Sequence, residues 1–124
     1  MEKHKQRITY KAGKERARVL QKWVAERISI LLNIPCGKDE LIASREMGQS
    51  GCDVRLIGEA LKGFPYSVEC KNVEQWNVPD AIKQAKSNVI PGTTWLVFMK
   101  KNNIKPVVIM DGEYFFELLS KISK

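Results

Sequence analysis

Cysteine is sparse and odd in number: Cys36, Cys52 and Cys70 are the three in 124 residues. None stands in Cys-x-x-Cys spacing, which argues against both a disulfide framework and a zinc site. Histidine is rarer still. His4 is the single one, inside a basic N-terminal stretch, so a Ser-His or Cys-His nucleophile would have to borrow its base from the chain terminus. There is no Gly-rich phosphate loop of the Walker or dinucleotide type. No apolar run approaches the roughly 20 residues of a membrane span, and no membrane partner is expected. Met1–Arg7 carries charge with no apolar segment behind it, unlike a secretory signal, so a cytoplasmic location is expected. The chain also lacks internal repeats and low-complexity tracts.

What is present is basic charge. Lys and Arg total 21 against 14 Asp and Glu, a net charge of +7 and a pI near 9.4. Such a balance favours an anionic partner, with nucleic acid as the first expectation and a merely soluble basic protein as the alternative. With 44% hydrophobic and 28% charged residues, the composition is that of one globular domain with a modest core. The expected organisation is a polar, basic arm over residues 1–13 and a single domain over 14–124.

Periodicity supplies the elements. At about 100° per residue, Ala17, Leu20, Val24, Ile28 and Leu31 fall within an arc of about 80°, predicting a helix from Lys14 to Leu32 with that face toward the core. Gln21 lies at the edge of the same arc, the one polar residue of the helix turned inward. Asn33-Ile-Pro-Cys-Gly stops it. A long connection follows over 38–51, with a short apolar piece at Leu41–Ala43. Asp53–Ile57 reads as a strand, 58–63 as a turn or short helical connector, and Tyr66–Lys71 as a second strand antiparallel to the first. Pro79–Val89 reads as a helix with Ala81, Ile82, Ala85 and Val89 apolar and Gln84 beside them. Thr93–Met99 and Pro106–Met110 are β-rich. A last helix, Gly112–Ile122, is expected to pack Phe115, Leu118, Leu119 and Ile122. The fold class is therefore α/β (α+β): a mixed β-sheet flanked by helices, with an extra C-terminal helix.

The chemistry-bearing stretch is Phe64–Asn72, Phe-Pro-Tyr-Ser-Val-Glu-Cys-Lys-Asn. Strand side chains alternate, so Ser67, Glu69 and Lys71 share one face while Val68 and Cys70 take the other. A charge on a core-like strand has to be paired or to bind something. Asp53 opens the neighbouring strand. Asp53 and Glu69 would together provide carboxylates for Mg²⁺ or Mn²⁺, with the Cys70 backbone carbonyl as a third oxygen. Such an ion activates water and polarises a phosphodiester. Lys71 would orient or deprotonate that water, or offset charge growing on the phosphate. The bland alternative is an i,i+2 ion pair on an exposed sheet face. Ser44, Arg45 and Ser50, in a Gly/Ser-rich segment able to bring N–H groups to a phosphate, are candidate DNA contacts. So are Asn72 and the basic turn at Lys100 and Lys101. Lys3, Lys5, Arg7 and Lys11 of the arm are expected to meet phosphates without reading sequence.

Gly51-x-Asp53 followed by Glu69-Cys70-Lys71 resembles the core of the PD-(D/E)XK superfamily of restriction-endonuclease-like nucleases. Ser44…Met47-Gly48-x-Ser50-Gly51-x-Asp53, then Phe64–Asn72, then Gln84-Ala85 is similar to small phage-encoded nucleases of that type, themselves akin to Holliday-junction resolvases. The resemblance covers about Gly13 to Met110. It implies an αβββαβ core with Asp53, Glu69 and Lys71 catalytic and Mg²⁺ or Mn²⁺ bound. It also implies Gln84 as the helical glutamine beside the site. Where the family usually has a helical Glu, this chain has Gln21. That amide carries no charge, so a second metal is not implied, and its expected role is to hold a metal-bound water or a phosphate oxygen.

The expected function is thus a metal-dependent DNA endonuclease. No element clearly reads base edges, which favours structure-selective cutting of branched or junction DNA over sequence-specific restriction. A homodimer is expected because symmetric cutting of two strands needs two sites; the outward Trp23 and Ile30 are either part of its interface or overspill from the core. The alternatives are a non-cleaving basic DNA-binding module and a subunit of a phage recombination or packaging complex.

Overall fold

The computed structural model describes the backbone of residues 2–46 and 51–123 and the side chains of 11–46 and 51–123. Its elements, in chain order, are α1 (Glu2–Leu32), β1 (Ile42–Ser44), β2 (Val54–Leu56), α2 (Glu59–Gly63), β3 (Tyr66–Asn72), α3 (Val78–Ser87), β4 (Thr94–Lys100), β5 (Val107–Ile109) and α4 (Gly112–Ile122). No helix among the described residues is long and apolar enough to cross a membrane.

The first helix starts at Glu2, not at Lys14 as expected, so the basic stretch taken for an arm continues the helix. Its Lys, Gln, Arg and Ala residues are good helix formers, with no proline to interrupt them. The stop falls where the breakers predicted. Asn33 takes a left-handed φ of 56°, and the Ile34 amide donates to the Ser29 carbonyl at 3.2 Å, a Schellman-type closure. Leu20, Val24, Ala25, Ile28 and Gln21 are buried along one face. Leu31, expected on that face, is 69% exposed. A helix of 31 residues is about 46 Å long, and a seven-residue strand covers about half of that, so one face cannot be covered along its whole length.

β3 and β4 pair in parallel through Tyr66↔Thr94 to Asn72↔Lys100, and β5 adds antiparallel to β4. The α3 crossover joins β3 to β4, as parallel pairing requires. Asn77 caps α3 by accepting the Asp80 amide at 3.1 Å, with Pro79 in the first turn. β2, expected to run antiparallel to β3, instead pairs antiparallel with β1, the strand hidden in the apolar piece near Leu41. The Asp53 amide links this hairpin to β3 by donating to the Val68 carbonyl at 2.9 Å.

Alternation on β3 divides the interior in two. Val68 and Cys70 join Leu20, Val24, Ile28, Ile42, Val54 and Leu56 in the core beneath α1. On the other face, Val97 and Met99 of β4 pack with Ala81 and Ala85 of α3. Glu69 stands beside Val97 in register, on the α3 face. The sheet is therefore sandwiched, and the candidate site opens where the β1–β2 hairpin meets β3.

The last helix forms over the predicted span, but none of its residues is buried. Phe115, Phe116, Leu119 and Ile122 are 43, 70, 40 and 72% exposed, which corrects the expected packing of Phe115, Leu119 and Ile122. The edge strand before it has three residues, two of them exposed, too little sheet to cover an apolar helix face. The Tyr66 and Tyr114 hydroxyls hydrogen-bond, tying α4 to β3.

Candidate active site

Asp53 sits just ahead of β2 and is pinned by its backbone on both sides. Its amide donates to Val68, and its carbonyl accepts the Arg45 amide at 2.8 Å. This brings its side chain onto β3, where Oδ2 accepts the Cys70 amide at 2.7 Å. The carboxylate thus takes the place of a neighbouring strand's carbonyl. Oδ1 is ion-paired with Arg45 Nη2 at 2.8 Å. In a strand, the N–H and C=O of one residue point to the same side, so the Cys70 carbonyl opens on the edge that Asp53 occupies.

Glu69 comes from β3 and is buried beside Asp53. Its carboxyl is pushed up to about 7, first by burial and then by the Asp53 charge. A hydrogen bond between the two carboxyl groups adds to the rise, while the Asn88 amide and the Lys71 ammonium oppose it. Two acids sharing a buried place tend to hold a proton between them. Lys71 is half-buried one strand repeat further along, on the face of Glu69. The Cys70 thiol lies in the α1 core and is held well above its ordinary value, chiefly by burial.

Asn88 escaped the sequence reading. It caps the C-terminus of α3 and donates its Nδ2 to Glu69 Oε2 at 3.4 Å. A signal was present: Asn88 follows Gln84 by four residues, one helical turn along the same face. Gln84 itself is half-buried, and its Nε2 is 3.5 Å from Asp80 Oδ2. Ser67 adds support from the same strand face, with Oγ accepting the Ile90 amide at 2.9 Å and bonding Thr93 Oγ1 at 2.6 Å. These bonds fasten the segment after α3 to β3 and so hold Asn88 over Glu69. Gln21 is 6% exposed on α1. Among the described residues, no hydrogen bond links it to Asp53, Glu69 or Lys71.

The candidate DNA contacts separate. Ser44 ends β1 opposite Val54, half-buried, with Arg45 next to it. Ser50 lies outside the described residues, as do the side chains of Lys3, Lys5 and Arg7. Asn72 falls on the α1 face by the same alternation that orients Val68 and Cys70. Its Nδ2 donates to the Arg16 carbonyl at 2.8 Å, and its Oδ1 accepts from Arg16 Nη2 at 3.4 Å. It ties β3 to α1. Lys100 Nζ donates to the Lys101 carbonyl at 3.1 Å, and Lys101 lies 5.2 Å over the Trp76 ring.

A cleft of about 1040 Å³ runs between α1 and the β1–β2 hairpin. Arg18, Lys22, Lys38, Arg45 and Arg55 line it against two acids, Glu26 and Glu46. Asn88 and Arg45, which each bond one site carboxyl, are in its wall. The carboxyl pair thus borders a basic cleft. Compared with protein families, curated proteins and solved structures, the chain matches none of them.

Does this donor set suit a divalent ion? Among the described residues no group of three or more His, Cys, Asp or Glu side chains is arranged to hold a metal ion by itself. Mg²⁺ ordinarily takes one or two carboxylates and fills the rest of its octahedron with water and substrate oxygens. Asp53 and Glu69 would provide such a pair, with the Cys70 carbonyl on the same edge. A dication would also relieve the mutual repulsion that lifts Glu69.

Proposed function

We propose that this protein is a divalent-metal-dependent deoxyribonuclease that cuts phosphodiester bonds within DNA. Its selectivity is for branched or junction structure, on a restriction-endonuclease-like core. The observation that carries this reading is the buried meeting of Asp53 and Glu69, with Lys71 on the strand face of Glu69, at the border of a basic cleft. The element order supports it: α1, β1, β2, β3, α3 and β4 run in the αβββαβ sequence of that core, with α2 inserted after β2.

In this reading Asp53 and Glu69, with the Cys70 carbonyl, would hold Mg²⁺ or Mn²⁺. The ion, when bound, supplies an activated water and charge neutralisation at the phosphate. Lys71, on the same strand face as Glu69, would stabilise negative charge or orient the water. Asn88 keeps Glu69 directed, and the cations of the cleft hold flanking phosphates. Supercoiled plasmid and a four-way junction, incubated with Mg²⁺, Mn²⁺ or EDTA, test it. Metal-dependent nicking that Asp53→Ala and Lys71→Ala each abolish is the expected result. Cleavage that survives in both variants overturns the site. Symmetric cutting further predicts a homodimer, which sedimentation of the protein on a junction checks.

A second reading, a non-cleaving DNA-binding module, draws on two observations. Gln21 brings no charge where the resembled nucleases carry an acid, and Arg45 already neutralises Asp53. Tight junction binding with no cleavage under either metal would decide for it.

A further inference from the structure

We propose that Arg45 is a displaceable counter-ion: its guanidinium and a divalent cation compete for Oδ1 of Asp53, and the displaced arginine takes a DNA phosphate in the adjoining cleft. The inference rests on the metal-dependent reading above and assigns to that site a residue that sets when it can load.

The two oxygens of Asp53 are held differently. Oδ2 accepts a backbone amide, Cys70 N–H at 2.7 Å, which cannot leave without disturbing β3. Oδ1 is held by a side chain, Arg45 Nη2 at 2.8 Å, which can rotate away. The Asp53 side chain is 4% exposed while that of Arg45 is 28% exposed, so the carboxylate is sealed and its counter-ion reaches the cleft. A buried carboxylate needs a positive partner, and Arg45 provides it without any metal. A dication on the same carboxylates would sit a few ångströms from the guanidinium, where little water separates the two charges. The two charges repel, so each weakens the other's hold on Oδ1.

The segment is also fastened through its backbone. The Arg45 amide donates to the Asp53 carbonyl at 2.8 Å independently of the side chain, and Nη1 also lies 3.4 Å from the Gly51 carbonyl. The cleft that Arg45 lines also carries Arg18, Lys22 and Arg55. A phosphate drawn there meets a planar fork suited to two of its oxygens. Exchange of partners thus couples ion loading to phosphate capture, and the coupling is reciprocal: whatever weakens the Arg45–Asp53 pair strengthens ion binding.

Calorimetric titration of Mn²⁺ into the DNA-free full chain tests this, comparing wild type, Arg45→Gln and Arg45→Lys, with thermal melts in EDTA and in Mn²⁺. Arg45→Gln is expected to bind Mn²⁺ roughly 5- to 100-fold more tightly than wild type. It should melt lower in EDTA and gain more from Mn²⁺, while Arg45→Lys stays near wild type. Equal or weaker binding by Arg45→Gln, with wild type binding normally, overturns the inference and leaves the nuclease reading standing. Absence of Mn²⁺ binding in all three proteins overturns the metal-dependent reading and this inference with it. Should Arg45→Gln fail to fold, the Arg45 Nε–H resonance of wild type, assigned with Arg45→Lys, decides under Mg²⁺ titration. A shift tracking occupancy supports displacement, and a resonance unchanged at saturation refutes it.

Discussion

Replacing Glu69 with Gln should make the metal-free protein more stable above neutral pH while removing the proposed nuclease activity. The carboxyl titrates near 4.5 when the chain is unfolded and at about 7 in the folded state, because burial and Asp53 disfavour its charge. Below pH 4.5 both states hold the proton and nothing is lost. Between about 4.5 and 7 the unfolded chain releases it first, so stability falls as pH rises and has fallen fully once the folded carboxyl also ionises. At about 1.4 kcal/mol per pH unit this sets a ceiling of roughly 3 kcal/mol. Screening by solvent from the cleft reduces the expected loss to about 1–2 kcal/mol at pH 8. Glutamine does not titrate, offers Asp53 an N–H in place of the shared proton, and keeps an oxygen for Asn88. Thermal melts in EDTA at pH 4.5 and pH 8 provide the assay. The difference between variant and wild type should be near zero at pH 4.5 and about 3–8 °C in favour of Glu69→Gln at pH 8. A variant equally or less stable than wild type at pH 8 would refute the idea that Glu69 is held against a second buried carboxylate. Mn²⁺ should close the gap by stabilising wild type alone.

Other outcomes follow from the same contacts. Asn72→Ala should lower stability by about 1–3 kcal/mol, read by urea denaturation, while DNA affinity of the folded protein stays near wild type, because its amide serves α1. Leu20→Ala, in the α1 core at 1% exposure, should cost about 2–5 kcal/mol by the same measurement. The double variant Lys22→Gln, Arg55→Gln should reduce the slope of log affinity against log salt by roughly 2 in junction-binding titrations. An unchanged slope would remove those residues from the phosphate path. Asn88→Ala should raise the Glu69 carboxyl further, since its amide favours the ionised form. The loss of stability on going from pH 5 to pH 8 in EDTA should then be greater in the variant than in wild type.

Most of what the sequence alone determined is local. Alternation along Tyr66–Asn72 separates Glu69 and Lys71 from Val68 and Cys70, because a strand's side-chain directions follow from its own backbone. The stop at Asn33 and the span Gly112–Ile122 are likewise written in neighbouring residues, since breakers and caps act over one turn. Alternation would also have put Asn72 on the α1 face, away from Glu69. Tertiary structure decided the partners. Arg45 reaches Asp53 only because β1 and β2 pair, and a three-residue strand has too little pattern to announce itself. Asn88 reaches Glu69 across 19 residues because the α3 crossover ends above β3. The burial that lifts Glu69 to about 7, and the exposure of α4 despite its apolar stripe, depend on how much sheet stands opposite each element. That quantity belongs to the assembled fold, because it is set by segments far apart in the chain.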